Sequence, residues 1–314
     1  MKALIIGAAG FVGSYLIEHL SNTYDWEIHA TKLESEILAS NTAVIHNLDL
    51  MNASEINALL QKTKPDYIFH LAAQSSVALS WKNPSLTVDI NIKGTLNLLD
   101  SIRSISNYNP KVLLIGSGEE YGYILPDETP VHEDVPVRPG NIYAATKACQ
   151  NMLGSIYSRA YKMNLIMVRA FNHIGPNQAP LFVASDFCKQ VAEIEKGLKE
   201  PVLHVGNLSA LRDFTDVRDV VRAYGLLIQY GKSGETYNIG SGHAIPIQSL
   251  LDMILSLSTT TIKVELDPSR LRPSDIPVIE ADIKKLQDTI QWKPEIELKQ
   301  TLLETLNYWR KKEL

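Results

Sequence analysis

The chain opens Lys2-Ala-Leu-Ile-Ile6 and runs straight into Gly7-Ala-Ala-Gly10-Phe-Val-Gly13. A short apolar strand, three glycines at these intervals, and then helical spacing over Phe11–Leu20 leave few folds open. Glycine permits a tight turn and lets the backbone approach a diphosphate. The helix that follows offers unpaired N–H groups and the positive end of its dipole. A plain glycine-rich turn would read the same in isolation. Position favours the dinucleotide reading, because the pattern heads a chain that goes on alternating strands and helices.

Trp26–Thr31 and Ala43–Asn47 read as strands. Ser54–Lys62 reads as an amphipathic helix capped by Ser54. Tyr67–Leu71 reads as a strand, and Ser85–Ser104 as one long helix with Leu96, Leu99, Ile102 and Ile105 at helical intervals. Lys111–Gly116 is a strand, Tyr143–Tyr161 a helix and Asn164–Ala170 a strand again. Short apolar strands between helices predict an α/β protein with a doubly wound, mostly parallel sheet and right-handed crossovers. After about residue 172 the alternation breaks at Gly175–Pro180. A helix over Ala184–Lys196, a loop around Gly206–Asp213, a helix from Val217, a turn at Gly240–Gly242, a helix near Gln248–Ser256, a strand Thr261–Glu265 and a last helix from Leu298 follow. This predicts a dinucleotide-binding domain over 1–171 and a smaller, interleaved substrate lobe over 172–314. Segments near 217–240 are expected to pack back on the first domain.

The chain has 314 residues, 45% hydrophobic and 21% charged, which excludes disordered, collagenous and coiled-coil proteins. Net charge is −5 and no block of Lys/Arg exists, so neither nucleic acid nor an anionic membrane has an electrostatic footprint. Cys149 and Cys188 form no metal or redox motif and suit a reducing cytosol. Eight histidines are scattered singly and give no metal site. No apolar run is long enough to span a bilayer. The first strand starts at Lys2, which leaves no room for a signal peptide. The expected location is the cytoplasm.

Tyr143-Ala-Ala-Thr-Lys147 puts a phenol and an ammonium on one helix face. An ammonium beside a phenol favours the phenolate and is expected to lower its pKa toward neutrality, a shift of about 3 units or roughly 4 kcal/mol. That would let Tyr143 give or take a proton. Ser117 follows the strand Lys111–Gly116, at the carboxyl edge where α/β sheets bind ligands. Its hydroxyl would reach the same reacting oxygen. Tyr-x-x-x-Lys alone is a weak signal; with Ser117 and the glycine pattern it becomes specific.

The second strand ends Ala30-Thr31-Lys32, without the acid that binds a ribose 2′-OH. A hydroxyl and a cation suit a 2′-phosphate, so NADPH is favoured, with NADH possible. Lys32 can also be read as a solvated loop lysine. Asp49, opening Asp49-Leu50, reads either as an adenine ligand or as a turn aspartate.

Together these segments resemble the extended short-chain dehydrogenases/reductases over essentially the whole chain. The resemblance rests on Gly7–Gly13, Asp66–Ala73, Asn91–Thr95, Ser117–Gly122, Tyr143–Lys147 and Tyr237–Ser241. It implies a catalytic set of Ser117, Tyr143 and Lys147. It implies cofactor contacts from Gly7, Gly10, Phe11, Val12, Gly13, Thr31, Lys32, Asp49, Leu50, Leu71, Ala72, Ala73 and Phe171, and from Tyr143 and Lys147 at the nicotinamide ribose. It also implies a homodimer built on the helices Ser85–Ser104 and Tyr143–Tyr161, whose apolar surface burial against the sheet would equally explain.

Three stretches, Ala73–Ser80, Val205–Asp216 and Arg169–Gln178, resemble the GDP-mannose branch of that family. The last is similar to its GDP-4-keto-6-deoxymannose reductases. The implied reaction is reduction of the 4-keto group of a GDP-linked sugar to GDP-D-rhamnose. Arg212 and Arg272 are the candidate diphosphate clamps, and Asn172, Ser76 and Asp275 are implied sugar-nucleotide contacts. Glu119 overlays the glutamate with which the branch's 4,6-dehydratases remove a proton, so it is either such a base or a sugar-binding group. A 4-epimerase would use the same triad. A cofactor-sensing protein that had lost its chemistry would lack Ser, Tyr or Lys, and all three are present.

Overall fold

The computed structural model describes residues 1–271 and 276–312. In chain order its strands are β1 (Lys2–Ile6), β2 (Glu27–Lys32), β3 (Ala43–Asn47), β4 (Tyr67–His70), β5 (Lys111–Ser117), β6 (Leu165–Ala170), β7 (Asn172–Ile174), β8 (Val202–Val205), β9 (Leu211–Asp216), β10 (Thr236–Ile239), β11 (Ala244–Pro246), β12 (Lys263–Leu266) and β13 (Val278–Ile279). The helices are α1 (Phe11–Thr23), α2 (Ala53–Thr63), α3 (Val77–Lys82), α4 (Pro84–Val88), α5 (Gly94–Ser104), α6 (Ile142–Tyr161), α7 (Val183–Glu195), α8 (Val217–Tyr230), α9 (Ile247–Ser256), α10 (Lys284–Ile290) and α11 (Leu298–Lys311).

Seven strands form one parallel sheet in the order β10-β6-β5-β4-β1-β2-β3. Its inner strands are apolar on both sides because helices cover both faces. On one face Leu16, Ile17 and Leu20 of α1 pack with Val220, Tyr224 and Leu227 of α8. On the other, Leu60 of α2 packs with Leu98, Leu99 and Ile102 of α5. The strand order reverses between β1 and β4, and ligands of such sheets lie beyond the carboxyl ends at that point.

A second lobe has its own core, with Phe187 and Val191 of α7, Leu203 of β8, Leu250 of α9 and Leu306 of α11. Its strands β7, β9, β11 and β13 form one small sheet, and β8 pairs with β12. The chain is interleaved: α8 and β10 return to the first core and the main sheet.

Two local expectations fail. The cap of α2 is Asn52, not Ser54: its Oδ1 accepts the N–H groups of Ser54 and Glu55. The expected single helix from Ser85 to Ser104 is broken. Asn83 and Pro84 start the short helix α4, a π turn over Asp89–Lys93 follows, and α5 begins at Gly94. The wide turn puts Asn91 wholly inside. Its amide accepts the Gln74 N–H at 2.8 Å and donates to the Gln74 carbonyl at 3.1 Å and to Thr146 Oγ1 at 2.9 Å. One side chain thus ties the segment after β4 to α6. Among the described residues no helix is long and apolar enough to cross a membrane.

Candidate active site

The glycine turn sits at the β1 edge. Gly7 has φ of +82°, and a Cβ there would stand 2.6 Å from the backbone of Ala72. This glycine is required by the protein's own packing. Gly10 differs: a Cβ there would meet nothing nearer than the Gly7 oxygen, at 3.5 Å. Gly10 is exposed and opens α1, which has no side-chain cap and no acid in its first turn. The first N–H groups of α1, at Phe11 and Val12, therefore point into an anion-favouring space beside a small residue. That donor set fits a diphosphate.

Thr31 is not a candidate for a 2′-phosphate. It is buried, and its Oγ1 accepts the Gly7 N–H at 3.1 Å, so it holds the glycine turn from below. Lys32 lies at the end of β2, with Nζ donating to the carbonyls of Leu33 at 3.1 Å and Glu34 at 3.4 Å. Asp49 is exposed and accepts the Met51 N–H at 2.9 Å, while Leu50 beside it is buried. Leu71 and Ala72 both donate backbone N–H to the Ile6 carbonyl, which places Leu71, Ala72 and Ala73 along the β1–β4 crevice. Phe171 stands behind the site: its ring packs under Gly118 and against Tyr121.

Ser117 ends β5, and Tyr143 and Lys147 occupy the first turns of α6, whose cap Asn141 accepts the Ala144 N–H at 2.8 Å. All three are nearly buried. The Ser117 and Tyr143 hydroxyls are hydrogen-bonded to each other. The Lys147 ammonium donates to the Ile115 carbonyl at 2.7 Å and to Gln150 Oε1 at 3.2 Å. Burial pushes the Tyr143 phenol above its ordinary value. The Ser117 bond pulls it down, and the charges of Glu119 and Glu120 push it further up. This corrects the expectation of a lowered phenol: in the protein alone, desolvation outweighs any help from Lys147. Burial also lowers Lys147, to about 8, against an upward pull from Glu120.

Several residues of the site were not singled out from sequence. Glu120 accepts the Ser117 N–H at 2.8 Å, both its oxygens accept from Asn151 Nδ2 at 2.8 Å, and Arg169 Nε donates to it at 3.1 Å. Ser117-x-x-Glu120 is a capping-box spacing, which is the signal that would have found it. His173 stacks on Phe11 with centroids 6.2 Å apart, and its Nδ1 donates to the Phe171 carbonyl at 3.0 Å. That bond leaves Nε2 as an acceptor, and burial lowers the ring's pKa.

Of the expected sugar-nucleotide contacts, Glu119 is half-buried beside the triad, with Oε2 accepting from Asn141 Nδ2 at 3.2 Å. Ser76 caps α3, its Oγ accepting the Leu79 N–H at 3.2 Å. Asn172 follows Phe171 and pairs with Phe214 in the small sheet. Arg212 is buried in β9 and donates to the carbonyls of Leu211 at 2.8 Å and Ile276 at 2.7 Å. Arg272 and Asp275 lie outside the described residues.

A family model described as GDP-mannose 4,6 dehydratase matches residues 4–305. GDP-6-deoxy-D-mannose reductase of Pseudomonas aeruginosa is 31% identical, over 98% of this chain and 97% of that protein. GDP-mannose 4,6-dehydratase of Vibrio cholerae is 28% identical, over 96% and 92%. Among solved structures, RMD from Pseudomonas aeruginosa complexed with NADPH superposes with a TM-score of 0.87 at 30% identity, covering 99% of each chain. UDP-glucose 4-epimerase from Thermotoga maritima, with UDP-glucose, superposes with a TM-score of 0.89 at 27% identity, again over 99% of each. With the Ser–Tyr–Lys geometry in place, these matches make the chain an enzyme of the GDP-mannose 4,6 dehydratase family, within the extended short-chain dehydrogenases/reductases that process nucleotide sugars.

Proposed function

We propose that this enzyme reduces the 4-keto group of GDP-4-keto-6-deoxy-D-mannose to GDP-D-rhamnose with NADPH, or less readily NADH. The observation that carries the reading is the bonded Ser117–Tyr143 pair over a buried Lys147, in a chain similar along nearly its whole length to a GDP-6-deoxy-D-mannose reductase. Residues 1–171 would hold the cofactor and 172–314 the nucleotide sugar, with 217–240 completing the first unit.

Gly10 and the N-terminus of α1 would hold the diphosphate of the cofactor, and Leu71, Ala72 and Ala73 its ribose side. Bound NADPH supplies the hydride that reduces the carbonyl carbon. Tyr143 is the proton donor to the carbonyl oxygen. Its raised pKa suits that direction, because the phenol holds its proton at neutral pH until an oxyanion develops beside it. Ser117 donates a hydrogen bond to the same oxygen and stabilises the growing charge. Lys147 spends two ammonium protons on Ile115 and Gln150. Its third is left for a ribose hydroxyl or for the Tyr143 phenolate. Arg212 and Arg272 would clamp the sugar-linked diphosphate, with Asn172, Ser76 and Asp275 around the sugar. A cavity of about 600 Å³ between Val205–Ser209 and Leu266 and Leu271 lies beside this lobe's strands and is offered as the seat of the nucleoside.

Glu119 supports a second reading. Its carboxylate stands close enough to Tyr143 to raise the phenol, where a 4,6-dehydratase needs its base. The exposed Leu86 and Val88 of α4 and Met152 and Ile156 of α6 support the proposed homodimer.

The test is nicotinamide absorbance with purified protein and NADPH, with and without GDP-4-keto-6-deoxymannose. Consumption that depends on the keto sugar, with a C4-reduced product, is the expected result. No consumption, together with loss of water from GDP-mannose, would instead assign the dehydratase reaction and Glu119 as its base.

A further inference from the structure

Glu120 is the most deeply placed acid near the catalytic residues, with no solvent exposure. It sits where β5 turns, directly beneath the sheet edge. A Cβ on Gly116 would stand 2.2 Å from its Oε1 and 2.6 Å from Asn151 Nδ2, so the strand carries a glycine there and the carboxylate fills the space.

Every group that touches this carboxylate is a donor: the Ser117 N–H, the Asn151 amide and the Arg169 guanidinium. A protonated acid would have to aim its own hydrogen at one of them. These donors favour the anion and pull its pKa down, against the burial that raises it. Arg169 is itself fixed by the Tyr121 hydroxyl at 2.9 Å and the Glu133 carbonyl at 2.9 Å. Tyr121 in turn donates to Asn238 at 2.7 Å. The carboxylate cannot drift without breaking this chain.

Lys147 and Asn151 are four residues apart on α6, on one helix face. Asn151 reaches Glu120, and Lys147 reaches the Ile115 carbonyl two residues before Ser117. The ammonium and the carboxylate thus flank the same end of β5. The ammonium's acceptors at Ile115 and Gln150 are both neutral, and among the described residues no carboxylate bonds the Lys147 ammonium.

We propose that Glu120 is a positioning residue of this site: its carboxylate pins the Ser117 turn and is the counter-charge of the Lys147 ammonium. This rests on the Ser117–Tyr143–Lys147 reading above. The other charges and titratable groups around Lys147 do not take this part. His70, across on β4, is held neutral by burial. Arg169 is a cation, and Tyr143 keeps its proton. Glu119 faces Asn141, and Glu133 accepts from the Asn238 backbone.

The test is the alkaline side of two profiles in wild type, Glu120→Gln and Glu120→Asp. One is kcat for keto-sugar reduction. The other is the Lys147 Nζ signal of 15N-lysine-labelled protein carrying NADP+, assigned by its loss in Lys147→Arg. Removing the charge is expected to bring the Lys147 midpoint down by about one unit from near 8. The Gln variant would then run about twofold slower than wild type at pH 7 and about eightfold slower at pH 8.5. Asp, whose carboxylate stands farther from the ammonium, is expected to restore about half of the difference and to leave the midpoint measurably below wild type. A merely structural role would slow the Gln variant by one factor at all pH values. An unmoved Nζ midpoint in a folded Gln variant overturns the proposal. If the wild type does not reduce the keto sugar, the function fails on its own, and the Nζ titration still decides the role of Glu120. If the Gln variant does not fold, the Asp variant decides: its longer carboxylate–ammonium separation must lower the midpoint, and an unchanged value overturns the proposal.

Discussion

A Cβ added to Gly13 would stand 2.1 Å from the carbonyl oxygen of Ala8. The three glycines of the first turn are therefore not equivalent, and each substitution has its own signature. Gly13→Ala forces α1 away from the turn and is expected to destabilise the protein by about 1–3 kcal/mol, as overpacking does. Gly7→Ala adds the strain of a left-handed backbone at φ +82° to its contact with Ala72. Gly10→Ala fits the protein and is expected to leave the unfolding midpoint within about 2 °C, since no contact is lost. It narrows the space over the helix end, so NADPH affinity is expected to fall at least tenfold. Thermal unfolding and NADPH fluorescence titration of the three variants separate the cases. A Gly10→Ala protein that binds NADPH normally would place the diphosphate elsewhere.

Tyr143→Phe removes the proposed proton donor but keeps the ring in its packing. Turnover is expected to fall by about 100-fold to 10,000-fold, the range for general acid catalysis. NADPH affinity is expected to change less than about threefold, because the lost hydroxyl bonds Ser117 rather than the glycine turn. Steady-state kinetics and direct binding read the two quantities. Turnover within tenfold of wild type would remove Tyr143 from the chemistry.

Much of this could be read from the chain because parallel strands covered on both sides leave unbroken apolar runs. Lys2–Ile6, Tyr67–His70 and Lys111–Ser117 are such runs and form the inner sheet. What stayed hidden depends on contacts distant in sequence. Glu120, Arg169 and Asn238 look like surface residues one at a time; only the β5–β6–β10 order closes them into a buried network. The π turn at Asp89–Lys93 lies inside a segment with good helical periodicity, and only the buried Asn91 explains it. For Tyr143 the spacing showed the neighbouring lysine but not the depth, and depth sets the sign of the shift. Thr31 failed for the same reason: a hydroxyl at a strand end can face the ligand or the turn, and here Gly7 takes it.

Lys32 gives the test of cofactor preference. Its ammonium holds two loop carbonyls at the end of β2, the strand end where the proposed cofactor would lay its adenosine. A charge-assisted bond to a 2′-phosphate is worth roughly 1.5–3 kcal/mol. Lys32→Ala is accordingly expected to weaken NADPH binding by about tenfold or more and to leave NADH unchanged. The two dissociation constants, measured side by side at fixed salt, decide it. Equal losses would mean that Lys32 shapes the loop and reads no phosphate.

His70 predicts how the fold responds to acid. It is wholly buried on β4, with Nε2 bonded to Thr95 Oγ1 at 3.0 Å and Nδ1 without a partner among the described residues. Burial, assisted by the charge of Lys147, lowers its pKa to about 3. The unfolded chain regains an ordinary value near 6.5. Below that pH the unfolded state binds a proton that the folded state refuses, so stability falls as pH drops from about 6.5 toward 3. In that window this one residue costs about 1.4 kcal/mol per pH unit at most. His70→Gln keeps a group able to bond Thr95 and cannot take up the proton. Urea unfolding at pH 7 and pH 5 is expected to show a smaller loss in the variant than in wild type. Equal losses would mean that His70 is reached by water and titrates in the folded protein.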